Sequence, residues 1–328
     1  MKKFIVTGGA GFIGSNFINY LHNNEENYIT NIDKLSYGSN LNNIEISSGK
    51  YKFIKKSIGD DLIDIIDDAD YIINFAAESH VDRSIANPES FVKENINGVL
   101  NLLENIRKSK NDPVLINIGT DEEYGDIIDG SFSEDDMLKP SSPYSASKAS
   151  SSLLALSYFR TYGIKAIVTR TSNNFGKYQF PEKLIPKTII RNLLHLDIEL
   201  YGNGENTRDW IYVIDNVNAI LTILNKGKYG EIYNISSSKE LKNVDIVNRI
   251  FDIMHLNGKI NYVSDRPGHD VRYSINTSKV KNLGWKPEYN FDDALKLTVE
   301  WYINNEKWWK PLVNDKVLSG QPWKLKWD

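Results

Sequence analysis

The chain has 328 residues, with 39 lysine and arginine residues against 43 aspartate and glutamate residues, so its net charge is -4 at pH 7. This balance excludes a general electrostatic attraction to nucleic acid or to an anionic membrane, and neither is expected as a partner. The chain contains no cysteine and only five scattered histidines, which excludes disulfides and a cysteine nucleophile, and no metal site is predicted.

The first half of the chain alternates short apolar runs with amphipathic helical stretches, the pattern of a parallel sheet covered by helices on both faces. Strands are predicted at residues 4–7, 28–33, 52–54, 71–77, 114–120 and 166–171, and helices at 12–22, 62–67, 91–107 and 144–161. The first apolar run is too short for a signal peptide or a membrane span, so we expect a cytoplasmic protein. The predicted fold class is α/β, with a doubly wound parallel sheet of the Rossmann type.

The second half of the chain is less regular, because proline and glycine turns interrupt it from about residue 172. Short strands are expected near residues 199 and 232, and helices near residues 245 and 294. We predict a cofactor domain over residues 1–172 with return segments near 211–236, and a smaller α/β substrate domain over residues 173–210 and 237–328. The tryptophans between Trp301 and Trp323 are expected to pack under this second domain.

A glycine-rich segment over residues 8–14 follows the first predicted strand and opens the first predicted helix. Glycines at positions 9, 11 and 14 match the GxGxxG pattern, in which a tight turn lets free helix amides hold a pyrophosphate. Asp33 ends the second predicted strand, where a carboxylate accepts hydrogen bonds from an adenosine ribose and repels a 2′-phosphate. NAD is therefore favoured over NADP, and a glycine turn without a ligand is the alternative.

Tyr144 and Lys148 lie at a spacing that places both side chains on one face of the fourth predicted helix. A nearby ammonium favours the phenolate, so we expect Tyr144 to act as a base well below its free pKa. Thr120 supports this interpretation, because it ends a buried strand at the sheet edge where doubly wound folds bind ligands. These three residues resemble the extended short-chain dehydrogenase/reductase family, whose members oxidise a sugar hydroxyl beside a nicotinamide.

Longer segments resemble one branch of this family, the dTDP-glucose 4,6-dehydratases. The matching segments are Thr7–Ser15, Asn74–Ser84, Thr120–Gly125, Asn173–Gly176, Tyr178–Pro186, Tyr201–Trp210 and Asp265–Tyr273. The resemblance implies a tightly bound NAD that is regenerated in each turnover, a nucleoside-diphosphate hexose as substrate, and a role in the synthesis of deoxysugars such as rhamnose. It also implies a homodimer that pairs helices of the cofactor domain, among them the helix at Tyr144.

The adjacent carboxylates Asp121 and Glu122 distinguish a dehydratase from the epimerases of the family, which lack this pair. Removing water across C5 and C6 of a hexose requires a base and an acid, and repulsion between neighbouring carboxyls keeps one of them protonated. The resemblance implies that Tyr144 takes the 4-hydroxyl proton while Thr120 holds the same oxygen. Glu122 would then remove the C5 proton, and Asp121 would protonate the departing 6-hydroxyl.

The resemblance also implies two sets of binding residues. The cofactor set is Gly8, Gly11, Phe12, Ile13, Gly14, Asp33, Lys34, Ser57, Ile58, Ala76, Ala77, Ser79, Asn95, Tyr144, Lys148 and Asn174. The substrate set is Ser79, Thr120, Asn173, Lys183, Leu184, Tyr201, Arg208, Asn243, Arg266, His269 and Tyr273. Arg208 suits a diphosphate because its guanidinium forms bidentate hydrogen bonds, and Tyr273 is expected to stack on the base. For Arg266 and His269, hydrogen bonds that stabilise a loop are the alternative.

Four residues depart from the family pattern: Ser57, Glu94, Gly119 and Glu123. Ser57 replaces an aspartate that meets the adenine, and Glu123 replaces an apolar residue after the acid pair. Glu123 is harmless if strand alternation points it away from the site. The alternatives left open are a UDP-glucose 4,6-dehydratase, a nucleotide-sugar 4-epimerase or decarboxylase, and a non-catalytic sensor that binds NAD.

Overall fold

The computed structural model describes residues 1–24, 27–46, 49–256 and 258–327. The strands are β1 (Lys3–Thr7), β2 (Tyr28–Ile32), β3 (Tyr51–Ile54), β4 (Tyr71–Asn74), β5 (Val114–Thr120), β6 (Ala166–Thr171), β7 (Asn173–Phe175), β8 (Ile198–Tyr201), β9 (Thr207–Tyr212), β10 (Ile232–Ile235), β11 (Glu240–Lys242) and β12 (Ile260–Val263). The helices are α1 (Phe12–Asn24), α2 (Ile63–Ile66), α3 (Val81–Ala86), α4 (Pro88–Phe91), α5 (Gly98–Lys108), α6 (Pro143–Tyr162), α7 (Leu184–Leu193), α8 (Val213–Lys226), α9 (Asn243–Met254), α10 (Ser278–Asn282), α11 (Phe291–Asn304) and α12 (Glu306–Trp309).

The central sheet has seven parallel strands in the order β10-β6-β5-β4-β1-β2-β3. The strand order reverses between β1 and β4, because the chain adds β2 and β3 on one side of β1 and β4 on the other. A crevice opens at such a reversal, outside the carboxyl ends of the strands, and open α/β sheets bind their ligands there. The predicted α/β fold with a doubly wound parallel sheet is confirmed.

Helices cover both faces of this sheet, and each covered face forms its own hydrophobic core. On one face, Phe17 and Ile18 of α1 and Ile220 of α8 pack with Ile116 of β5. On the other face, residues of α5 and α6 pack with the alternate residues of the same strands, among them Leu115. Burial on both faces explains why the strands read as continuous apolar runs in the sequence.

Helix α6 carries two predicted catalytic residues and has strong signals at both ends. Its N-cap Ser142 and Ser145 exchange hydrogen bonds between side chain and backbone, at 3.1 Å and 3.0 Å, and Pro143 occupies the first turn. Gly163 ends the helix in the left-handed conformation, with a φ of 74°. These signals place α6 within one residue of the prediction.

The remaining strands form a three-stranded sheet, β11-β9-β7, and a two-stranded sheet, β12-β8. Residues of α7, α9 and α11 pack around Trp210 in a third core. Trp309 is buried in this core and Trp301 and Trp308 pack against it, as expected for this part of the tail. Trp323 lies elsewhere, with its ring centre 4.9 Å from that of Tyr201. The division of the chain into two domains remains a prediction, although the pairing of β10 with β6 matches a segment predicted to return to the first domain.

The sequence misplaced two boundaries near the crevice. Strand β4 ends at Asn74 rather than at residue 77, because its neighbour β1 ends opposite it at Thr7 and turns at Gly8. The predicted helix over residues 91–107 is a π-helical turn at Val92–Asn97 followed by α5, and the short helices α3 and α4 before it were not predicted. Throughout the described ranges, every helix is too short or too polar to cross a membrane.

Candidate active site

The carboxyl ends of β1, β4, β5 and β6 border a cavity of about 300 Å³. All five predicted catalytic residues line it: Thr120, Asp121, Glu122, Tyr144 and Lys148. So do the predicted cofactor residues Gly8, Gly11, Phe12, Ile13, Gly14, Asp33, Lys34, Ser57, Ile58, Ala76, Ala77, Ser79 and Asn174. The fold therefore brings the glycine turn, the acid pair and the tyrosine-lysine pair to one site.

The glycine turn is packed so closely that side chains at two of its positions would collide with backbone. Gly8 has a φ of 67°, and a Cβ there would lie 2.6 Å from the backbone nitrogen of Ala76. A Cβ at Gly14 would lie 2.5 Å from the carbonyl oxygen of Gly8. The turn leads directly into α1, whose first amides have no partner within the helix and suit an anionic group such as a pyrophosphate.

Asp33 and Lys34 form the edge of the cavity beyond the glycine turn. The Asp33 carboxylate accepts hydrogen bonds from the backbone nitrogens of Ala10, at 3.0 Å, and Leu35, at 2.8 Å, so it also braces the turn. The Lys34 ammonium lies 3.0 Å from the carboxylate of Glu94, one of the residues that depart from the family pattern. Glu94 therefore lines the cofactor side of the cavity and pairs with a predicted cofactor residue.

Two predicted cofactor residues have structural partners. Ser57 lines the cavity, and its hydroxyl accepts a hydrogen bond from the backbone nitrogen of Gly59 at 3.0 Å. Asn95 is fully buried behind the wall of the cavity, where its amide exchanges hydrogen bonds with the backbone of Glu78, at 2.8 Å and 2.9 Å, and donates to Ser147. Asn95 thus holds the wall in this structure, and its direct contact with a cofactor remains a prediction.

Tyr144 and Lys148 face the cavity from α6, but their charges differ from the sequence expectation. Burial and the neighbouring Glu122 carboxylate raise the pKa of Tyr144 well above its usual range, although a hydrogen bond with Thr120 lowers it. Lys148 donates its hydrogen bond to the carbonyl of Ile118 rather than to the phenol. The expectation that Lys148 depresses the pKa of Tyr144 is therefore not met in this arrangement. Burial lowers the pKa of Lys148 itself to about 8.

The acid pair sits on a 3-10 turn, Asp121–Glu123, that begins directly after β5. Thr120 caps this turn: its hydroxyl accepts from the backbone nitrogen of Glu122 at 3.4 Å and donates to the Asp121 carboxylate at 3.1 Å. Burial, then the Glu122 charge, raises the pKa of Asp121 well above its usual range. Burial also raises the pKa of Glu122, but Arg266, Arg208 and Lys183 oppose this effect. Asp121 is thus the member of the pair that holds a proton most strongly.

The Glu123 side chain points away from the cavity. From the sequence, strand alternation could give this direction, but the structure has another cause. The carboxylate lies 2.8 Å from Arg170 on β6 and is fully buried. Strand alternation is not the cause, because the segment is a 3-10 turn in which three residues complete one revolution. The Glu123 carboxylate is therefore directed behind β5, away from the carboxylates of Asp121 and Glu122.

The predicted substrate residues fall into three groups. Ser79, Thr120, Asn173 and Lys183 line the cavity, whereas Leu184 and Asn243, the first residues of α7 and α9, are not among its lining residues. The Lys183 ammonium donates to the carbonyl of Ser79 at 3.0 Å. These contacts bring part of the predicted substrate set onto the wall of the same cavity.

The second group lies around Asp82. Its carboxylate accepts hydrogen bonds from the Tyr201 hydroxyl at 2.6 Å and from Arg266 at 3.0 Å. His269 pairs with Asp265 at 2.5 Å. Arg266 and His269 therefore make the loop-stabilising contacts that were the alternative to substrate binding.

Arg208 and Tyr273 also differ from the expectation. The Arg208 guanidinium lies 4.3 Å from the centre of the Tyr273 ring and donates to the backbone carbonyl of Asp270 at 2.9 Å. Tyr273 is only 2% exposed, and its hydroxyl bonds to Asp270. Stacking of Tyr273 on a nucleotide base was the expectation, and in this structure Arg208 covers the ring instead.

Sequence reasoning gave no role to several residues that line the cavity. His80 lies 3.6 Å from Glu182, and the Tyr37 hydroxyl donates to the same carboxylate at 2.8 Å. Arg83 lies over the Tyr37 ring, 4.2 Å from its centre, and also lines the cavity. His80 and Arg83 lie within Asn74–Ser84, a segment that resembles the family. That resemblance was the sequence signal from which a role for them could have been inferred.

The residues present fit a dinucleotide and a polar substrate. Three buried oxygens at the cavity have no hydrogen-bond partner among the described residues: Oδ2 of Asp121, Oγ of Ser172 and Oδ1 of Asn174. Buried polar atoms without partners are rare, and these three are placed to bond to a ligand. Gly8, Gly11 and Gly14 would hold the pyrophosphate, and Asp33 would hold the adenosine ribose.

Comparisons with known proteins agree with the site. The family model described as GDP-mannose 4,6 dehydratase matches residues 5–298. A probable dTDP-glucose 4,6-dehydratase from Sinorhizobium fredii is 43% identical over 97% of each chain, and the low-salt glycan biosynthesis protein Agl12 from Haloferax volcanii is 45% identical over 92% of this chain and 99% of its own.

A solved structure extends the likeness to three dimensions. DesIV, a dTDP-glucose 4,6-dehydratase from Streptomyces venezuelae with NAD bound, is 38% identical, with a TM-score of 0.91 over 95% of this chain and 100% of its own. The resemblance stated from the sequence motifs is confirmed. The chain belongs to the GDP-mannose 4,6 dehydratase family.

Proposed function

We propose that this protein is a hydro-lyase that uses NAD to convert dTDP-glucose to dTDP-4-keto-6-deoxyglucose and water. The observation that carries the proposal is the capped acid turn beside Tyr144 and Lys148 in one cavity. A dehydrogenase needs a base and a cofactor site, whereas the acid pair supplies the additional proton transfers that elimination requires. The relatives named above support the substrate.

The first step oxidises the sugar at C4, by removing a proton from the 4-hydroxyl and a hydride from C4. Tyr144 takes the proton of the 4-hydroxyl, and Thr120 holds the same oxygen, because the two hydroxyls already interact. Burial and the Glu122 charge oppose the phenolate form of Tyr144, whereas the hydrogen bond with Thr120 favours it. Bound NAD, which Gly8, Gly11, Gly14 and Asp33 would hold, would supply the hydride chemistry at C4 and C6.

The second step eliminates water from C5 and C6. The C4 ketone acidifies the C5 proton, which Glu122 removes, while Asp121 gives its proton to the departing 6-hydroxyl. The pKa of Asp121, held well above its usual range, keeps the proton available for this step. Glu122 suits the base, because Arg266, Arg208 and Lys183 favour its charged form.

The proton transfers balance over the cycle. Glu122 returns its proton to C5 when C6 is reduced, and the proton that Tyr144 has taken restores Asp121 through exchange with solvent. The sugar loses one water and keeps the 4-ketone. No net oxidation or reduction remains.

The experiment is to incubate the purified protein with dTDP-glucose and, separately, with UDP-glucose, and to measure the product masses. Loss of one water from dTDP-glucose supports the proposal. Preferential loss from UDP-glucose would replace the thymidine substrate with the uridine one, and an unchanged mass with an inverted C4 would indicate an epimerase. A third incubation uses a nucleoside-diphosphate uronic acid, and loss of carbon dioxide from it would indicate a decarboxylase. No change in any of the three substrates would leave a non-catalytic sensor that binds NAD.

We also propose that the protein is a homodimer. We propose the cytoplasm as its location, because its expected substrates, nucleoside-diphosphate sugars, are found there. Val92, Leu100 and Leu153 are 46%, 39% and 55% exposed on the segments around α5 and α6, and such apolar side chains favour pairing of these helices. Light scattering on the purified protein measures the mass of the assembly. A mass near 37.5 kDa, that of one chain, would contradict the dimer.

A further inference from the structure

Glu123 and Arg170 form a fully buried ion pair directly behind the proposed active site. Their exposed fractions are 0% and 1%, and the Arg170 Nε lies 2.8 Å from the Glu123 Oε2. The Arg170 guanidinium also lies 4.5 Å from the centre of the Tyr124 ring. A buried charge is costly unless it is paired and hydrogen-bonded, so this pair requires an explanation beyond packing.

The second oxygen of the Glu123 carboxylate connects two elements of the catalytic site. It accepts hydrogen bonds from the backbone nitrogen of Thr120 at 3.1 Å and from the hydroxyl of Ser152 at 2.9 Å. Ser152 lies on α6, four residues after Lys148, and therefore on the same face of that helix. One carboxylate thus joins the end of β5, the helix α6 and, through Arg170, the strand β6.

Gly119 leaves the space that this carboxylate occupies. A Cβ at position 119 would lie 2.4 Å from the Glu123 Oε1 and 3.2 Å from the Ser152 hydroxyl. It would also lie 2.6 Å from the carbonyl oxygen of Thr169, so the backbone of the neighbouring strand limits relief. Gly119 and Glu123 are both departures from the family pattern. The buried Glu123 carboxylate fits beside Gly119, whereas a larger residue at position 119 would collide with it.

The charge of Glu123 acts on Lys148. Burial lowers the pKa of Lys148 to about 8, and the Glu123 carboxylate opposes this by favouring the ammonium. Other charged or titratable groups surround the pair: Asp121 and Glu122 on the turn, Tyr144 on α6, Arg170 on β6 and Arg208 and Asp209 facing Asp121. Glu123 also raises the pKa of Tyr144, but burial and Glu122 have larger effects there.

We propose that Glu123 is a positioning residue of the catalytic site, which from behind β5 fixes Thr120 and, through Ser152, the helix that carries Lys148. The proposal rests on the proposed function, because the roles of Lys148 and Thr120 come from it. Arg170 holds the carboxylate in place, and Gly119 admits it. The acid turn thus carries two carboxyls toward the cavity for proton transfer and a third behind the strand for electrostatic support.

The test compares four variants with the wild-type protein. Glu123→Gln removes the charge but keeps an oxygen that accepts from Thr120 and Ser152, whereas Glu123→Asp keeps the charge. Because Glu123→Gln leaves the Arg170 cation buried without its partner, the double variant Glu123→Gln/Arg170→Met provides the same test without that cation. Glu199→Gln is the matched control, since it removes a carboxylate paired with Arg191 at 3.1 Å on other elements of the fold.

The first measurement needs no substrate. The titration of Lys148 is followed by carbon NMR of protein labelled at the lysine ε-carbon, with the resonance assigned by its loss in Lys148→Arg. We expect a midpoint near the pKa of about 8 in the wild type and in Glu199→Gln. Both variants without the Glu123 charge should titrate at a pH lower by on the order of one unit. Glu123→Asp should return the midpoint toward that of the wild type.

The second measurement is the rate of the first step with dTDP-glucose, from pH 6 upward. The activity should begin to fall at lower pH in Glu123→Gln, with a roughly tenfold loss of kcat in the alkaline range and an unchanged KM. An unchanged Lys148 midpoint in Glu123→Gln would overturn the proposal. If the Lys148 midpoint shifts as expected but the wild-type protein does not convert dTDP-glucose, the proposed function is refuted instead. The two failures are therefore distinguishable.

Discussion

Asp82 joins the cofactor region to the region around Tyr201 and Arg266, and its removal provides a test of how the two are held together. The carboxylate is 4% exposed and accepts from Tyr201 at 2.6 Å and from Arg266 at 3.0 Å. The substitution Asp82→Asn preserves the shape of the side chain but removes its charge. We expect it to destabilise the protein through both lost partners.

The expected magnitude follows from the pKa of Asp82. Burial raises this pKa, but His80, Arg266 and the Tyr201 hydroxyl lower it from 3.8 to about 2. A difference of this size corresponds to about 2 kcal/mol of stability from the charged form. Asp82→Asn also leaves the Arg266 cation, whose side chain is only 14% exposed, without its partner, which brings the expected loss in the free energy of unfolding to roughly 3 kcal/mol.

The pH dependence provides a second readout. Because the folded pKa is depressed, the contribution of Asp82 is present above its unfolded pKa near 4 and is lost as the pH falls through about 2. The free energy of unfolding of the wild type, measured with urea, should fall over this pH range. In Asp82→Asn, the part of this decrease that Asp82 contributes should be absent. The control Asp68→Asn removes an exposed carboxylate and should leave the free energy unchanged within error. A loss below about 1 kcal/mol in Asp82→Asn, with the pH dependence of the wild type, would refute the reasoning.

Three further predictions concern catalysis and the cofactor. Glu122→Gln should block elimination by roughly 10²- to 10⁴-fold while oxidation at C4 continues, so the absorbance of reduced nicotinamide should build up on mixing with dTDP-glucose; normal turnover would remove Glu122 as the base. Tyr144→Phe should show no such absorbance, and an undiminished signal would contradict its role in the first step. Gly14→Ala should weaken NAD binding and cost roughly 1 to 3 kcal/mol of stability, because its Cβ would lie 2.5 Å from the Gly8 carbonyl. Gly49→Ala, where a Cβ meets nothing within 4 Å, is the control in calorimetry and thermal unfolding, and equal losses in both variants would contradict the packing argument.

Much of the catalytic site could be predicted from the sequence because its signals are local. The glycine turn, Tyr144 with Lys148, and Asp121 with Glu122 are each defined by spacing within a few residues. All of them line one cavity, because the carboxyl ends of parallel strands meet at one edge of the sheet. The strands of the first half were also predicted, since burial on both faces makes each a continuous apolar run.

The charges within the site could not be predicted in the same way. Sequence spacing suggested that Lys148 lowers the pKa of Tyr144, but Lys148 donates to the Ile118 carbonyl, and burial with Glu122 raises the pKa of the phenol. Likewise, the contact of Arg208 with Tyr273 depends on how a loop folds over β9, which no local pattern encodes. Both outcomes depend on burial and on neighbours distant in the chain.

The sequence by itself determined the α/β fold, the glycine turn and the set of side chains, proposed for catalysis, that line one cavity. The tertiary structure alone decided which carboxyl of the acid turn holds its proton, because desolvation of Asp121 follows from the elements that enclose it. It also decided the direction of Glu123, since a 3-10 turn after β5 and a partner 47 residues away, Arg170, direct that carboxylate behind the strand. Spacing determines which residues share a helix face or a strand end, whereas solvent exclusion and long-range pairing determine their charge.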